Sequence, residues 1–387
     1  MRALIRAALI GLAFVAPAAF AAGSNDDRKV AIVMLDGVRW QEVFRGADPL
    51  LAANREYMTS ELAKDARRNF VDTKDRPAAL MPFLHGVMAG SGTVIGNRDS
   101  GTCAEVTNPY WFSYPGYNEV LAGKADPRID SNEYGPNPNV TFLEWLHRQQ
   151  SFAGKVRAFG SWNAFDRILN EPRSGVPVNS GFEKEGGNDP EIAMLDRLQS
   201  STAYLWESER WDSMTLEYAV HGIRKHHPRV VFISLGETDE FAHSGDYAQY
   251  LISLHRGDAF IARIWETLQS DPFYRGRTTL IVTTDHGRGD TRNDRPDMSW
   301  RQHSSALALT KDSAPWAGLF KDGIPGSNQT WIAVVGPEVL ARGGSEYTGG
   351  NCAHSDQIAA TALTALGVDW KAFDPQAGVP LSVFRER

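Results

Sequence analysis

Three unbroken apolar runs organise the chain: VAIVML at 30–35, VVFISL at 230–235 and TLIVTT at 279–284. Runs this short, rich in β-branched residues and ended by Asp or Gly, read as strands buried on both faces. The pattern therefore predicts strands over 29–35, 155–159, 229–235 and 278–284, with a shorter one at 92–95. Segments of helical character lie between and beyond them, at 56–67, 78–87, 140–150, 189–197, 212–227, 247–268 and 357–366. The longest, 247–268, places Leu251, Leu254, Ile261, Ile264 and Leu268 near one helical face. Repeated strand–helix order implies an α/β fold with a mostly parallel central sheet and helices on both faces. The stretches 99–138 and 170–188 break this order. The first is rich in Gly, Pro, Asn and Tyr, with turn signals at Asn108-Pro109 and Pro115-Gly116. It reads as loops and short elements lying over or around a site.

The polar residues at the strand ends carry the chemistry. Asp36 follows the first run, Asp239 and His243 follow the second, and Asp285-His286 follow the third. His354 stands apart in the polar stretch GGNCAHSD. Asp239 and His243 are four apart, so a helical turn there brings both side chains to one face. An Asp after a strand is often a helix cap, and a single His is often a packing residue. Together these residues resemble a two-metal site at the carboxyl ends of a sheet, and hydrolysis of a phosphorus ester is the leading expectation. Carboxylate and imidazole donors suit zinc better than calcium.

Length and composition refine this picture. The 387 residues are 42% hydrophobic and 22% charged, as in an ordinary globular protein, and the formal charge of −7 gives no support for a general nucleic-acid binder. Arg2 and Arg6 precede and interrupt an apolar stretch that ends in Ala19-Phe20-Ala21, a small-x-small pattern. Residues 1–22 are expected to be a cleaved signal peptide, leaving 23–387 as one domain with long active-site loops; a single membrane anchor is the alternative. Periplasmic or secreted placement makes a disulfide between Cys103 and Cys352 the leading reading, since the pair lacks the clustering of a structural metal site.

With these residues in hand, the chain resembles the alkaline phosphatase superfamily, on the branch of nucleotide pyrophosphatases/phosphodiesterases and cofactor-independent phosphoglycerate mutases. The T-T-D-H-G stretch at 283–287 and the D-x-x-x-H spacing of Asp239 and His243 carry the likeness. In the phosphodiesterases the nucleophile precedes a Pro and lies ten residues before a Gly; Ser113-Tyr114-Pro115 and Gly123 repeat that spacing. The resemblance implies an alkaline-phosphatase-like core and two divalent metal ions, zinc or manganese. Asp239, His243 and His354 would hold one, and Asp36, Ser113, Asp285 and His286 the other. It also implies a phosphorylated Ser113 and a phosphoryl contact from Asn132, although the H-G that opens the family's asparagine segment is absent here.

Departures from the family pattern narrow the activity. A sulfatase of this family needs C/S-x-P-x-R, and here Pro115 is followed by Gly116-Tyr117. The mutases insert a large domain, for which the 126 residues from Ser113 to Asp239 leave too little room. A serine nucleophile tilts the expectation toward a phosphomonoesterase. The alternatives are a phosphodiesterase or nucleotide pyrophosphatase, with the aromatics of 110–117 or Trp162 stacking a base, and a non-catalytic exported binding protein. Arg39, Arg288 and His303 are candidates for substrate or supporting contacts. The two arginines, however, read more readily as solvated side chains beside a loop.

Overall fold

A computed structural model describes residues 27–290, 299–311, 317–341 and 351–385. Seven strands form the main sheet: β1 (Lys29–Leu35), β2 (Thr93–Ile95), β4 (Val156–Gly160), β5 (Val178–Ser180), β6 (Val230–Leu235), β7 (Thr278–Thr283) and β9 (Ile332–Val335). Their order is β2-β9-β7-β1-β6-β4-β5, parallel throughout except that β9 runs against both its neighbours. A second sheet joins β10 (Ala353–His354), β3 (Ala104–Glu105) and β8 (Gln329–Thr330). The expected mostly parallel sheet with flanking helices is present.

β1 shows why the sequence builds this sandwich. All seven of its residues are buried. Ala31, Val33 and Leu35 pack into the layer containing the helices Asp212–His226 and Tyr247–Ser270, while Val30, Ile32 and Met34 pack into the layer of Ser113–Ala122 and Gln357–Ala365. Alternation of side chains along a strand sends an unbroken apolar run into two cores at once. Each of the buried Val, Ile, Leu and Met side chains contributes roughly 1.5–3 kcal/mol by burial. Register then aligns the strand ends: Leu35 pairs with Leu235, and Met34 with Thr283. The polar residues that follow β1, β6 and β7 therefore emerge side by side.

Local differences from the expected elements have physical causes. The helical expectation over 56–67 shifts to Ala63–Ala66 and continues as a π-turn, Arg67–Val71. That over 78–87 becomes Arg76–Leu80 and a second π-turn, Leu84–Met88. A five-residue hydrogen-bonded turn does not follow a 3.6-residue period. Cys103 and Cys352 form a disulfide with Cα atoms 4.6 Å apart, tying the chain beside β3 to the chain beside β10. The segment expected to be a leader, 1–22, lies outside the described residues. Among the described residues no helix is long and apolar enough to cross a membrane.

Candidate active site

Three neighbouring strands deliver the ligand-type side chains. After β1 the chain turns at Gly37, where φ is +61° and an added Cβ would lie 2.5 Å from Asp239 Oδ1. Only glycine meets both demands without strain. The Gly37 amide donates to Asp285 Oδ1 (3.1 Å), and Thr238 Oγ1 donates to the Asp36 carbonyl (2.6 Å), so the three strand ends are bonded to one another. Beyond β6 the helix Glu237–Ser244 carries Asp239 and His243 one turn apart, with Nε2 3.1 Å from Asp239 Oδ2. Beyond β7, Asp285 and His286 are both fully buried.

Two groups of ligand atoms result, each within 4.8 Å: Asp36, Asp285 and His286, and Asp239, His286 and His303. His286 Nε2 sits between them, 3.4 Å from Asp36 and from Asp285 and 3.8 Å from Asp239. His243 joins the second group, its Nε2 3.0 Å from His303 Nε2. The resemblance had put His354, not His303, with Asp239 and His243. His354 lies on β10 in the small sheet, and neither group contains it. The sequence placed His303, after Trp300-Arg301-Gln302, only among candidates for a substrate or supporting contact and not among the metal ligands.

Ser113 is the first residue of the helix Ser113–Ala122. Its Oγ lies 3.2 Å from His286 Nε2 and 3.4 Å from Asp36 Oδ1. The helix approaches so closely that a Cβ on Gly116 would lie 2.3 Å from the Asp285 carbonyl oxygen. The loop leading into it is pinned by the buried Glu119 carboxylate, which accepts from the Thr107 and Asn108 amides at 2.7 and 2.8 Å. Asn132, expected beside the nucleophile, accepts the Tyr114 amide on its Oδ1 (3.0 Å). Tyr117 donates to Asp36 Oδ2 (2.8 Å); burial, reinforced by Asp36, keeps its phenol protonated. Tyr114 and Tyr117 are core residues. Phe112, by contrast, lines an open cavity.

The electrostatics fit a cation site. Burial, with Asp36 adding to it, pushes Asp285 up to about 7. Burial also disfavours charge on His286, yet Asp285 and Asp36 outweigh it and push the imidazole up to about 9. His303 is held well below its ordinary value by burial and by His286 and Arg288. Asp285 Oδ2 is buried without a hydrogen-bond partner. Concentrated carboxylates, imidazoles and an orphaned oxygen are the donor set a divalent ion satisfies. The expectation of solvated arginines fails for both. Arg288 is fully buried, donating to the Gly37 and Arg301 carbonyls at 3.1 and 2.7 Å and to Asp239. Arg39 is fully buried against Glu42 at 2.9 Å.

A cavity of about 450 Å³ opens beside His243 and His303, reaching past Phe112 and Asn132 to Asp130 and Lys311 at its rim.

Comparison with known proteins agrees with this architecture. The profile of the metalloenzyme superfamily matches residues 186–306, a span that includes Asp239, His243, Asp285, His286 and His303. A 2,3-bisphosphoglycerate-independent phosphoglycerate mutase from Gracilaria tenuistipitata var. liui is 22% identical over 176 residues, 45% of this chain. The match spans only 33% of the mutase's own length. Among solved structures, the lipoteichoic acid synthase LtaP from Listeria monocytogenes superposes with a TM-score of 0.52 at 12% identity, covering 89% of this chain and 73% of that one. A protein in the alkaline phosphatase superfamily from Vibrio parahaemolyticus gives 0.50 at 13% identity, with 93% and 71% covered. The C-terminal periplasmic domain of EcEptC from Escherichia coli, in complex with Zn, gives 0.50 at 10% identity, with 93% and 88% covered. At these identities the likeness is one of fold, and the chain has an alkaline-phosphatase-like α/β core.

Proposed function

We propose that the chain is an exported two-metal phosphoric ester hydrolase of the alkaline phosphatase superfamily, with Ser113 as nucleophile and phosphate monoesters as its preferred substrates. The observation that carries this reading is Ser113 Oγ, 3.2 Å from His286 and 3.4 Å from Asp36 at the head of a ten-residue helix. Asp239, His243 and His303 would hold one divalent ion, and Asp36, Asp285, His286 and Ser113 the other, zinc or manganese by their donors. Such ions supply charge neutralisation and a lowered hydroxyl pKa.

The chain's own residues do the rest. Ser113 Oγ gives up its proton to solvent and attacks phosphorus as the bond to the alcohol breaks, and the departing oxygen takes a proton from solvent. Water then adds to phosphorus and gives up a proton, the bond to Oγ breaks, and Oγ regains a proton as phosphate leaves, restoring serine. Asn132 has its Oδ1 engaged by Tyr114, so its Nδ2 is the donor for a phosphoryl oxygen. In the first turn, Pro115 has no N–H and the Gly116 amide is bonded to the Phe112 carbonyl (3.0 Å). The Ser113 amide is the donor that remains for the same oxygen.

The test compares p-nitrophenyl phosphate with bis-p-nitrophenyl phosphate on protein loaded with zinc or manganese. Faster monoester turnover is expected, with a loss of at least about a thousandfold in Ser113→Ala. Faster diester turnover would move the reading to the phosphodiesterase branch. Metal-dependent activity surviving in Ser113→Ala would remove Ser113 from its role.

A further inference from the structure

The cavity beside His243 and His303 is far larger than one phosphoryl group needs. Its roughly 450 Å³ is in the range of pockets that enclose small organic ligands. The space beyond the ligand atoms therefore belongs to the alcohol that departs. One wall is apolar: Phe112 and Ala308, backed by Tyr110, whose ring centre is 5.8 Å from that of Phe112. Facing it are Ser131, Gln302 and Ser304, short polar side chains with both donors and acceptors. A flat ring with hydroxyls on its edge suits such a lining.

Charge narrows the class further. Lys311 is the cationic side chain among the described lining residues apart from the two histidines, and its ammonium is already paired with Asp130 across the rim. Neighbouring arginines among the described residues are engaged elsewhere. Arg128 pairs with Asp126 (2.6 Å), Arg301 donates to the His243 carbonyl (3.2 Å), and Arg288 is buried against Asp239. Among the described residues lining the cavity, a second phosphate or a carboxylate on the leaving group would meet no unpaired lysine or arginine, and Asp130 would repel it. A neutral polyol meets the opposite conditions. Its hydroxyls donate to Asp130 and accept from Lys311 without breaking the pair.

We propose that the cavity accepts the neutral, polyhydroxylated leaving group of a sugar monophosphate and discriminates against leaving groups that carry a second anion. This rests on the ester-hydrolase reading above.

Fructose 6-phosphate and fructose 1,6-bisphosphate differ only in the second phosphate, so they isolate the point, with p-nitrophenyl phosphate reporting the chemistry itself. On the zinc-loaded full chain, kcat/KM is expected to favour fructose 6-phosphate by about tenfold or more, a difference of roughly 1.4 kcal/mol. Asp130→Asn frees Lys311 and should raise the bisphosphate-to-monophosphate ratio of kcat/KM by about tenfold. Lys311→Ala should not raise it. Equal or better turnover of the bisphosphate by the unaltered protein overturns the proposal, as does an unchanged ratio in Asp130→Asn. Cleavage of p-nitrophenyl phosphate without cleavage of fructose 6-phosphate also overturns it while leaving the hydrolase reading intact. If none of the three esters is cleaved, the monoesterase reading itself falls.

Discussion

His303 and His354 both offer an imidazole, and they differ in where the fold leaves them. His303 Nε2 is 3.0 Å from His243 and 3.8 Å from Asp239, close enough to share one ion with them. His354 is held in the small sheet, its amide donating to Gln357 Oε1 (2.8 Å). His303→Ala should therefore remove about one metal equivalent per chain and lower kcat by at least about a hundredfold. His354→Ala should retain both ions and most of its activity. Metal content by plasma mass spectrometry separates the two, and loss of an ion from the His354 variant alone would reverse the assignment. The choice between them was not legible in the sequence, because a histidine's reach depends on loops that no local pattern describes. Arg39 and Arg288 make the same point. Each follows a site residue within three positions, but Arg288 is buried against Asp239 and Arg39 donates to the Gly289 carbonyl (3.1 Å), contacts made by chain segments far away in sequence.

Elements that obey a period were the legible ones. β1, β6 and β7 begin and end within one or two residues of the apolar runs that predict them, whereas the ten-residue helix Ser113–Ala122 lies in a stretch expected to hold loops and short elements. β9 was missed because IAVV is four residues long, too short for periodicity to identify. The Ser113 helix is also where an element can be tested as a unit. Its second turn is fixed through Glu119, and its first turn touches the Asp285 backbone at Gly116. A methyl group at residue 116 would meet that carbonyl, which belongs to a chain segment held by Thr284 and Gly37 and has little freedom to yield. Gly116→Ala should cost about 1–3 kcal/mol of stability by overpacking. It should also displace Ser113 Oγ from His286, lowering kcat more than it raises KM. Urea unfolding and steady-state kinetics measure the two effects. Unchanged kinetics in a destabilised protein would mean that the helix shifts without moving its first residue.

At the scale of the whole molecule, residues as far apart as Asp36 and Asp285 meet because β1 lies between β6 and β7, a strand order that the sequence does not spell out. The hydrophobic runs make the strands visible, but adjacency is decided by how the helices cover both faces. The disulfide is a second long-range link, for which the sequence offers one intrachain pairing and the expectation of export made bonding the leading reading. Cys103 and Cys352 are 249 residues apart, so the bridge removes considerable freedom from the unfolded chain. Closing so long a loop with a covalent bond should stabilise the fold by about 2–5 kcal/mol. The double variant Cys103→Ser/Cys352→Ser should lose that amount in urea unfolding, and the unaltered protein should match it once reduced. Catalysis should respond far less, because the approach to Ser113 is held independently by Glu119 and by the contact between Gly116 and Asp285. A fall in kcat parallel to the fall in stability would instead make the small sheet part of the scaffold that positions the nucleophile.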